Sequence, residues 1–220
     1  MLVCLYDIHG NLPALEAVLA DADGDGYVLG GDYALFGGWP GETVARLREL
    51  DGAVWVRGNA ERWCAEGGSA PEELWPAIEA ARAELGQELV AELGALPETA
   101  EDGDMLICHA SPISDLRSFL PEPTEDDAEL LAGVTHSRLV FGHTHLPFRR
   151  VAGGIELVNP GSVGMPLDGD HRAAYAVIHD DGRIELRRVA YDHAASAAKV
   201  RAFGGEWADH IGRRIERAEF

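Results

Sequence analysis

Five short apolar runs in this chain each end on side chains able to hold a metal ion, and that recurrence restricts the folds open to it. Leu2-Val3-Cys4-Leu5-Tyr6 leads into Asp7-Ile8-His9. Tyr27-Val28-Leu29 leads into Gly30-Gly31-Asp32, and Ala53-Val54-Trp55-Val56 into Arg57-Gly58-Asn59. Met105-Leu106-Ile107-Cys108 leads into His109, and Leu139-Val140-Phe141 into Gly142-His143-Thr144-His145. Runs of this length, bounded by glycine, predict strands. In open α/β sheets, sites lie beyond the carboxyl ends of the strands. Such a sheet gathers Asp7, His9, Asp32, Asn59, His109, His143 and His145 at one place. His143 and His145 stand two residues apart, so in extended backbone both rings point the same way. Taken singly, an Asp after a strand is ordinarily a turn or cap residue, and a lone His a hydrogen-bonded one. Their coincidence at the same end of consecutive strands is what marks a shared metal site.

The series Asp7-x-His9, Gly31-Asp32, Gly58-Asn59, His109 and Gly142-His143-x-His145 resembles, in order, the motifs of the calcineurin-like metallophosphoesterase superfamily. DIHGNLPALEAVL (residues 7–19) and NPGSVG (residues 159–164) resemble its small bacterial branch of phosphodiesterases and diadenosine tetraphosphatase-like proteins. The resemblance implies a fold class of α/β type, a sandwich of two mixed β-sheets flanked by helices. It implies two divalent transition-metal ions, one held by Asp7, His9, Asp32 and His145, the other by Asp32, Asn59, His109 and His143. Asp32 would bridge them together with a water or hydroxide that acts as nucleophile, so Asp32, Asn59 and His109 are the catalytic candidates. Two metals about 3.5–4 Å apart can clamp the attacking and leaving oxygens of an in-line displacement. Four imidazoles argue against magnesium or calcium, which prefer oxygen. The resemblance favours manganese; iron, zinc, nickel and cobalt also suit these ligands.

In one respect the chain departs from the family pattern. Many members carry His directly after the Gly-Asn, where it can protonate the leaving group, and some carry Cys; here the residue is Ala60. General-acid help is worth about 10²–10⁴-fold, so a good or metal-stabilised leaving group is expected, with His171 as a replacement donor. Asn11, Tyr33 and Arg62 are the candidate substrate contacts. Each has a structural reading beside it: Asn11 as a helix cap, Tyr33 as core, Arg62 as the partner of a nearby carboxylate. Ser162 has no adjacent base, and its glycine-rich turn is expected to position His143 and His145. The other histidines, His210 among them, are read as structural or surface residues.

A formal net charge of −20 excludes nonspecific nucleic-acid binding, which needs a basic surface. It also suggests that phosphate is drawn by the metals rather than by the protein surface. No apolar run approaches the roughly 20 residues of a membrane helix, and Asp7 interrupts the first run too early for a signal peptide. The expectation is a cytoplasmic protein acting on a small-molecule phosphoester, with homo-oligomerisation left open. Three cysteines without CxxC spacing make no disulfide framework. The function read from these residues is a metal-dependent phosphoesterase, with a phosphodiesterase favoured. The alternatives are a catalytically weak metal-binding scaffold or a phosphomonoesterase.

At 220 residues a single domain over 1–220 is expected. Helices are predicted over 12–22, 42–50 and 125–131, with strands over 53–56 and 173–178. Residues 71–96 are predicted as a helical insertion, either a specificity cap or a helix pair packed on the core. Gly153-Gly154 and Asp181-Gly182 predict hairpins, and residues 194–218 a helix broken at Gly204-Gly205.

Overall fold

Side-chain alternation along the strands decides the layers of this molecule, whose computed structural model describes residues 1–22, 24–67 and 70–219. In chain order the first half runs β1 (Leu2–Leu5), α1 (Leu12–Asp21), β2 (Gly26–Leu29), α2 (Pro40–Arg48), β3 (Ala53–Trp55) and α3 (Asn59–Glu66). A 3-10 turn (Glu72–Leu74) then leads into α4 (Trp75–Gly94), β4 (Thr99–Asp102) and β5 (Met105–Cys108). The second half adds α5 (Asp127–Leu130), β6 (Arg138–Val140), β7 (Phe148–Ala152), β8 (Ile155–Asn159), β9 (Ala173–Ile178) and β10 (Ile184–Val189). It ends with α6 (His193–Arg201) and α7 (Gly205–Arg217).

The strands form two five-stranded mixed sheets, ordered β10-β9-β1-β2-β3 and β4-β5-β6-β8-β7. The strands that precede the predicted ligands are parallel neighbours within each sheet: β1, β2 and β3 in one, β5 and β6 in the other. Cys4, Tyr6, Val28, Ile107, Val140, Val158 and Ala176 form the layer between the sheets. Their neighbours in sequence, Val3, Leu5, Leu29, Tyr175 and Val177, face the other way and pack under α1, α2 and α4. The outer face of the second sheet is covered by Phe119, Leu130 and Leu131. The two-sheet sandwich flanked by helices expected from the sequence is thus the fold observed.

Local differences from the sequence reading have plain causes. α2 begins at Pro40, whose fixed φ suits the first helical position. Residues 71–96 are a 3-10 turn and a helix bent at Gly86, where φ is 76° and ψ 161°. α4 packs mainly on the core beside α3 and α2, with Ile78, Ala81 and Val90 on one cluster and Leu89 and Leu93 on another. Among the described residues no helix is long and apolar enough to cross a membrane.

Candidate metal centre

All seven predicted ligands lie in turns or at a helix start directly after strands, and the turns are strained. Asp7 (φ 53°), His9 (48°), Asp32 (57°), His143 (70°) and His145 (59°) adopt left-handed backbone, a region costly for residues with a Cβ. Cross-bracing holds them there. Asp7 N–H donates to Gly31 C=O (3.2 Å), His9 N–H to Asp32 C=O (2.8 Å) and Gly142 N–H to His109 C=O (2.7 Å). Gly31 (φ 95°) lies so near the third motif that a Cβ there would stand 2.5 Å from Gly58 N.

The imidazoles are aimed by backbone carbonyls. His9 Nδ1–H donates to Leu35 C=O (2.9 Å), His109 Nδ1–H to Gly30 C=O (2.8 Å) and His145 Nδ1–H to Met165 C=O (2.6 Å). A carbonyl can only accept, so each ring keeps its proton on Nδ1 and turns the Nε2 lone pair inward. His9 Nε2 then lies 3.1 Å from His145 Nε2 and 3.8 Å from Asp32 Oδ2. His145 Nε2 lies 3.4 Å from Asp7 Oδ1, and His109 Nε2 3.5 Å from Asp32 Oδ1. His143 N–H donates to Asp7 Oδ2 at 2.9 Å. Asp7, His9 and His145 could grip one ion, and Asp7, Asp32 and His109 could grip another.

The donor chemistry fits cations. Asp7 Oδ1 is buried without a hydrogen-bond partner among the described residues. Asn59 Oδ1 lies 3.0 Å from His109 Nε2 and 2.9 Å from His143 Nδ1, so acceptor meets acceptor. Such a convergence of lone pairs in a buried place is costly unless a cation sits among them. Turning the amide over would let its NH2 donate to both rings, whereas a cation held here would favour the oxygen-inward rotamer. Burial pushes the His9 imidazole down to about 3 and His143 down to about 4, so both are neutral lone-pair donors at neutral pH. Burial likewise pushes Asp32 up to about 7; Glu61 and Asp7 add to that and His109 opposes it. At Asp7 burial works against the charge, but His145, His109 and His9 around it hold the carboxyl below its usual range.

Two of the three predicted substrate contacts are corrected. Tyr33 is fully buried, with its hydroxyl between Leu29 C=O (2.6 Å) and Val56 C=O (2.5 Å), so it is a core residue. Asn11 caps α1: Oδ1 accepts from Ala14 N–H and the Ser196 hydroxyl, and Nδ2 donates to Gly164 C=O and Tyr191 Oη. Arg62 clasps Asp115 through Nε (2.5 Å) and Nη2 (2.9 Å). That pair edges a small cavity that His109 also lines. His171 is exposed and stacked on His193, with ring centroids 3.8 Å apart, and it lines no cavity at the centre.

The Ser162 turn, expected to position His143 and His145, bonds to Asp7 and, through Met165, aims His145. Ser162 Oγ donates to Asp7 C=O (2.7 Å) and accepts from Met165 N–H (2.8 Å), and Met165 C=O aims His145. A Cβ on Gly164 would stand 1.8 Å from Ile8 C=O, so this turn is pressed against the first motif.

Two features escaped the sequence reading. Glu61 is buried and accepts N–H bonds from Asp32, Tyr33 and Gly58, each at 2.8 Å, so it clamps the second motif to the third. Its signal was available, since a Glu at the third helical position can reach back to the N–H of the residue before the helix, here Gly58, the Glu half of a capping box. Its neighbour Ala60 donates N–H to Asp32 Oδ1 (2.9 Å) while its methyl packs with Leu35, Trp63 and Val90. The second feature is a cavity of about 620 Å³ beside His9, Asp32, Asn59, His143 and His145. Its far wall comes from α7, and His210, read from sequence as structural or surface, lines it.

Two carboxylates, an amide and four imidazoles at the strand ends of a two-sheet sandwich make a candidate centre for metal-assisted chemistry. A model of the calcineurin-like phosphoesterase superfamily domain matches residues 1–183, and the chain belongs to that superfamily. The uncharacterized protein MJ0912 of Methanocaldococcus jannaschii is 30% identical over 234 residues, covering 91% of either chain. The phosphodiesterase YfcE of Escherichia coli is 30% identical over 188 residues, covering 80% of this chain and 85% of its own. The crystal structure of a metallophosphoesterase from Sphaerobacter thermophilus matches with a TM-score of 0.85 at 28% identity, covering 99% of this chain and 98% of that one.

Proposed function

We propose that this chain is a dinuclear metal-dependent phosphodiesterase acting on a small or nucleotide-type phosphoester. The observation that carries the reading is the convergence of ligand atoms from Asp7, His9, Asp32, His109 and His145, with Asn59 and His143 beside them. Asp7, His9, Asp32 and His145 would hold one ion, Asp32, Asn59, His109 and His143 the other, with manganese favoured. Bound there, the metal pair supplies an activated water and neutralises the developing phosphoryl charge.

The protein's own part is orientation. The Leu35, Gly30 and Met165 carbonyls fix three ring tautomers. Glu61 and Ala60 N–H hold the loop and carboxylate of Asp32. Because Ala60 offers no proton, leaving groups of low pKa should react fastest. The likeness to YfcE, named as a phosphodiesterase, supports a diester over a monoester.

The test is hydrolysis by metal-stripped protein reloaded with manganese, zinc, nickel or magnesium, with Asp32→Asn as control. Bis-p-nitrophenyl phosphate should turn over faster than p-nitrophenyl phosphate, and both activities should drop more than about a hundredfold in the variant. Two ions bound per chain with no turnover of either ester would overturn the enzymatic reading.

A further inference from the structure

The cavity beside the metal centre has a wall that the matched family domain does not supply. That match ends at residue 183, and α7 begins at Gly205. Trp207, His210, Ile211 and Arg214 recur at helical spacing, so one face of α7 lines the cavity. Phe36, Trp63 and Leu74 line it as well. The Phe36 ring lies 5.6 Å from the His9 ring, so the apolar part of the cavity adjoins the metal ligands. Phe36 also has φ 79°, a conformation a bulky side chain rarely adopts. Apart from Ala218, every described non-glycine residue with positive φ is either a predicted metal ligand or this ring.

Away from Asp32 at its metal-ligand end, the charged groups facing the cavity are Glu73, Glu206 and Arg214, with His210 beside them. Carboxylates outnumber the guanidinium, so the wall disfavours a second anionic group and suits hydroxyl or amino donors.

We propose that this cavity is the subsite for the organic part of the phosphoester and takes an uncharged planar aromatic group bearing hydrogen-bond donors, the chemistry of a nucleoside. The proposal rests on the phosphoesterase reading and names its substrate class. A base is held by stacking against Trp207, Trp63 and Phe36, while Glu73 and Glu206 accept from sugar hydroxyls. The phosphate of a mononucleotide then reaches the metal ligands.

The test is calorimetric titration of manganese-loaded protein with adenosine monophosphate, ribose 5-phosphate and inorganic phosphate. Stacking on aromatic side chains predicts that the nucleotide binds about tenfold or more tighter than ribose 5-phosphate. Trp207→Ala should lower that ratio several-fold, by roughly one stacking contact, and Trp207→Phe should keep most of it, which separates stacking from a general disturbance of α7. Equal affinities in the wild type, or a ratio untouched by Trp207→Ala, would overturn the proposal. Diester hydrolysis with phosphate bound but no preference for the base sinks this inference alone. Failure to bind all three ligands, together with failure to hydrolyse the diester, sinks the parent reading with it.

Discussion

At the scale of single residues, the centre depends on groups that never reach substrate. Glu61 spends its carboxylate on three backbone N–H groups, two in the Asp32 turn and one at Gly58. Burial raises its pKa, and the three N–H donors offset that only in part, so its charge depends on those donors. In Glu61→Gln an amide N–H must face donors in the same pocket. We expect a loss of about 1–3 kcal/mol in urea unfolding and manganese binding about 10–100-fold weaker by calorimetry. Unchanged metal affinity would show that Asp32 needs no such clamp. The metal-ligand candidates were legible in the sequence because all seven follow one of five apolar runs. The substrate contacts were not. Adjacency to Asp32 suggested Tyr33, yet the turn sends the Tyr33 ring into the core, where its hydroxyl meets Leu29 C=O and Val56 C=O. Trp207 and His210 carry no local signal at all, since tertiary packing alone brings α7 to the cavity.

At the scale of elements, the strands were readable wherever both faces are buried, as in β1, β5 and β9, or where a glycine pair closes a hairpin. β4 was missed because Thr99-Ala100-Glu101-Asp102 is a polar edge strand, which hides its period. α3 was missed because its first residue, Asn59, belongs to a motif that reads as a turn. α4 is the instructive case. Its apolar positions fit one helix, but the backbone breaks at Gly86, and beyond the break Leu89 and Leu93 join one cluster while Val90 stays with Ile78 and Ala81 in the other. A Cβ at Gly86 would meet open space, so sterics with neighbours place no demand on glycine there. The backbone does, because φ 76° with ψ 161° is essentially reserved for glycine. Gly86→Ala should therefore destabilise the protein by about 1–3 kcal/mol, measured by urea unfolding. A neutral result would mean that α4 can straighten and still bury both faces.

For the whole molecule, the centre doubles as the join between the two sheets. Asp7, His9, Asp32 and Asn59 follow β1, β2 and β3; His109, His143 and His145 follow β5 and β6 of the other sheet. Ions held between these groups would tie the halves of the sandwich together at the ligand-bearing strand ends, where the intersheet layer of Cys4, Val28, Ile107 and Val140 gives way to polar side chains. Metal that binds only the folded chain stabilises it by mass action, by about 2.7 kcal/mol for one site at a hundredfold excess over the dissociation constant. For a chain of this size that corresponds to roughly 5–10 °C in Tm. Manganese should therefore raise Tm, a chelator should reverse the gain, and Asp32→Asn should abolish most of it. The gain should also shrink as pH falls. Imidazole and carboxylate bind metal only when deprotonated, and His109 and His145, despite burial, are held above the usual imidazole pKa by Asp32 and Asp7. Protons thus compete with the metal from near neutrality downward, and scanning calorimetry from pH 8 to pH 5, with and without manganese, reads this out. A shift independent of pH would mean that the stabilising ion sits on groups other than these histidines.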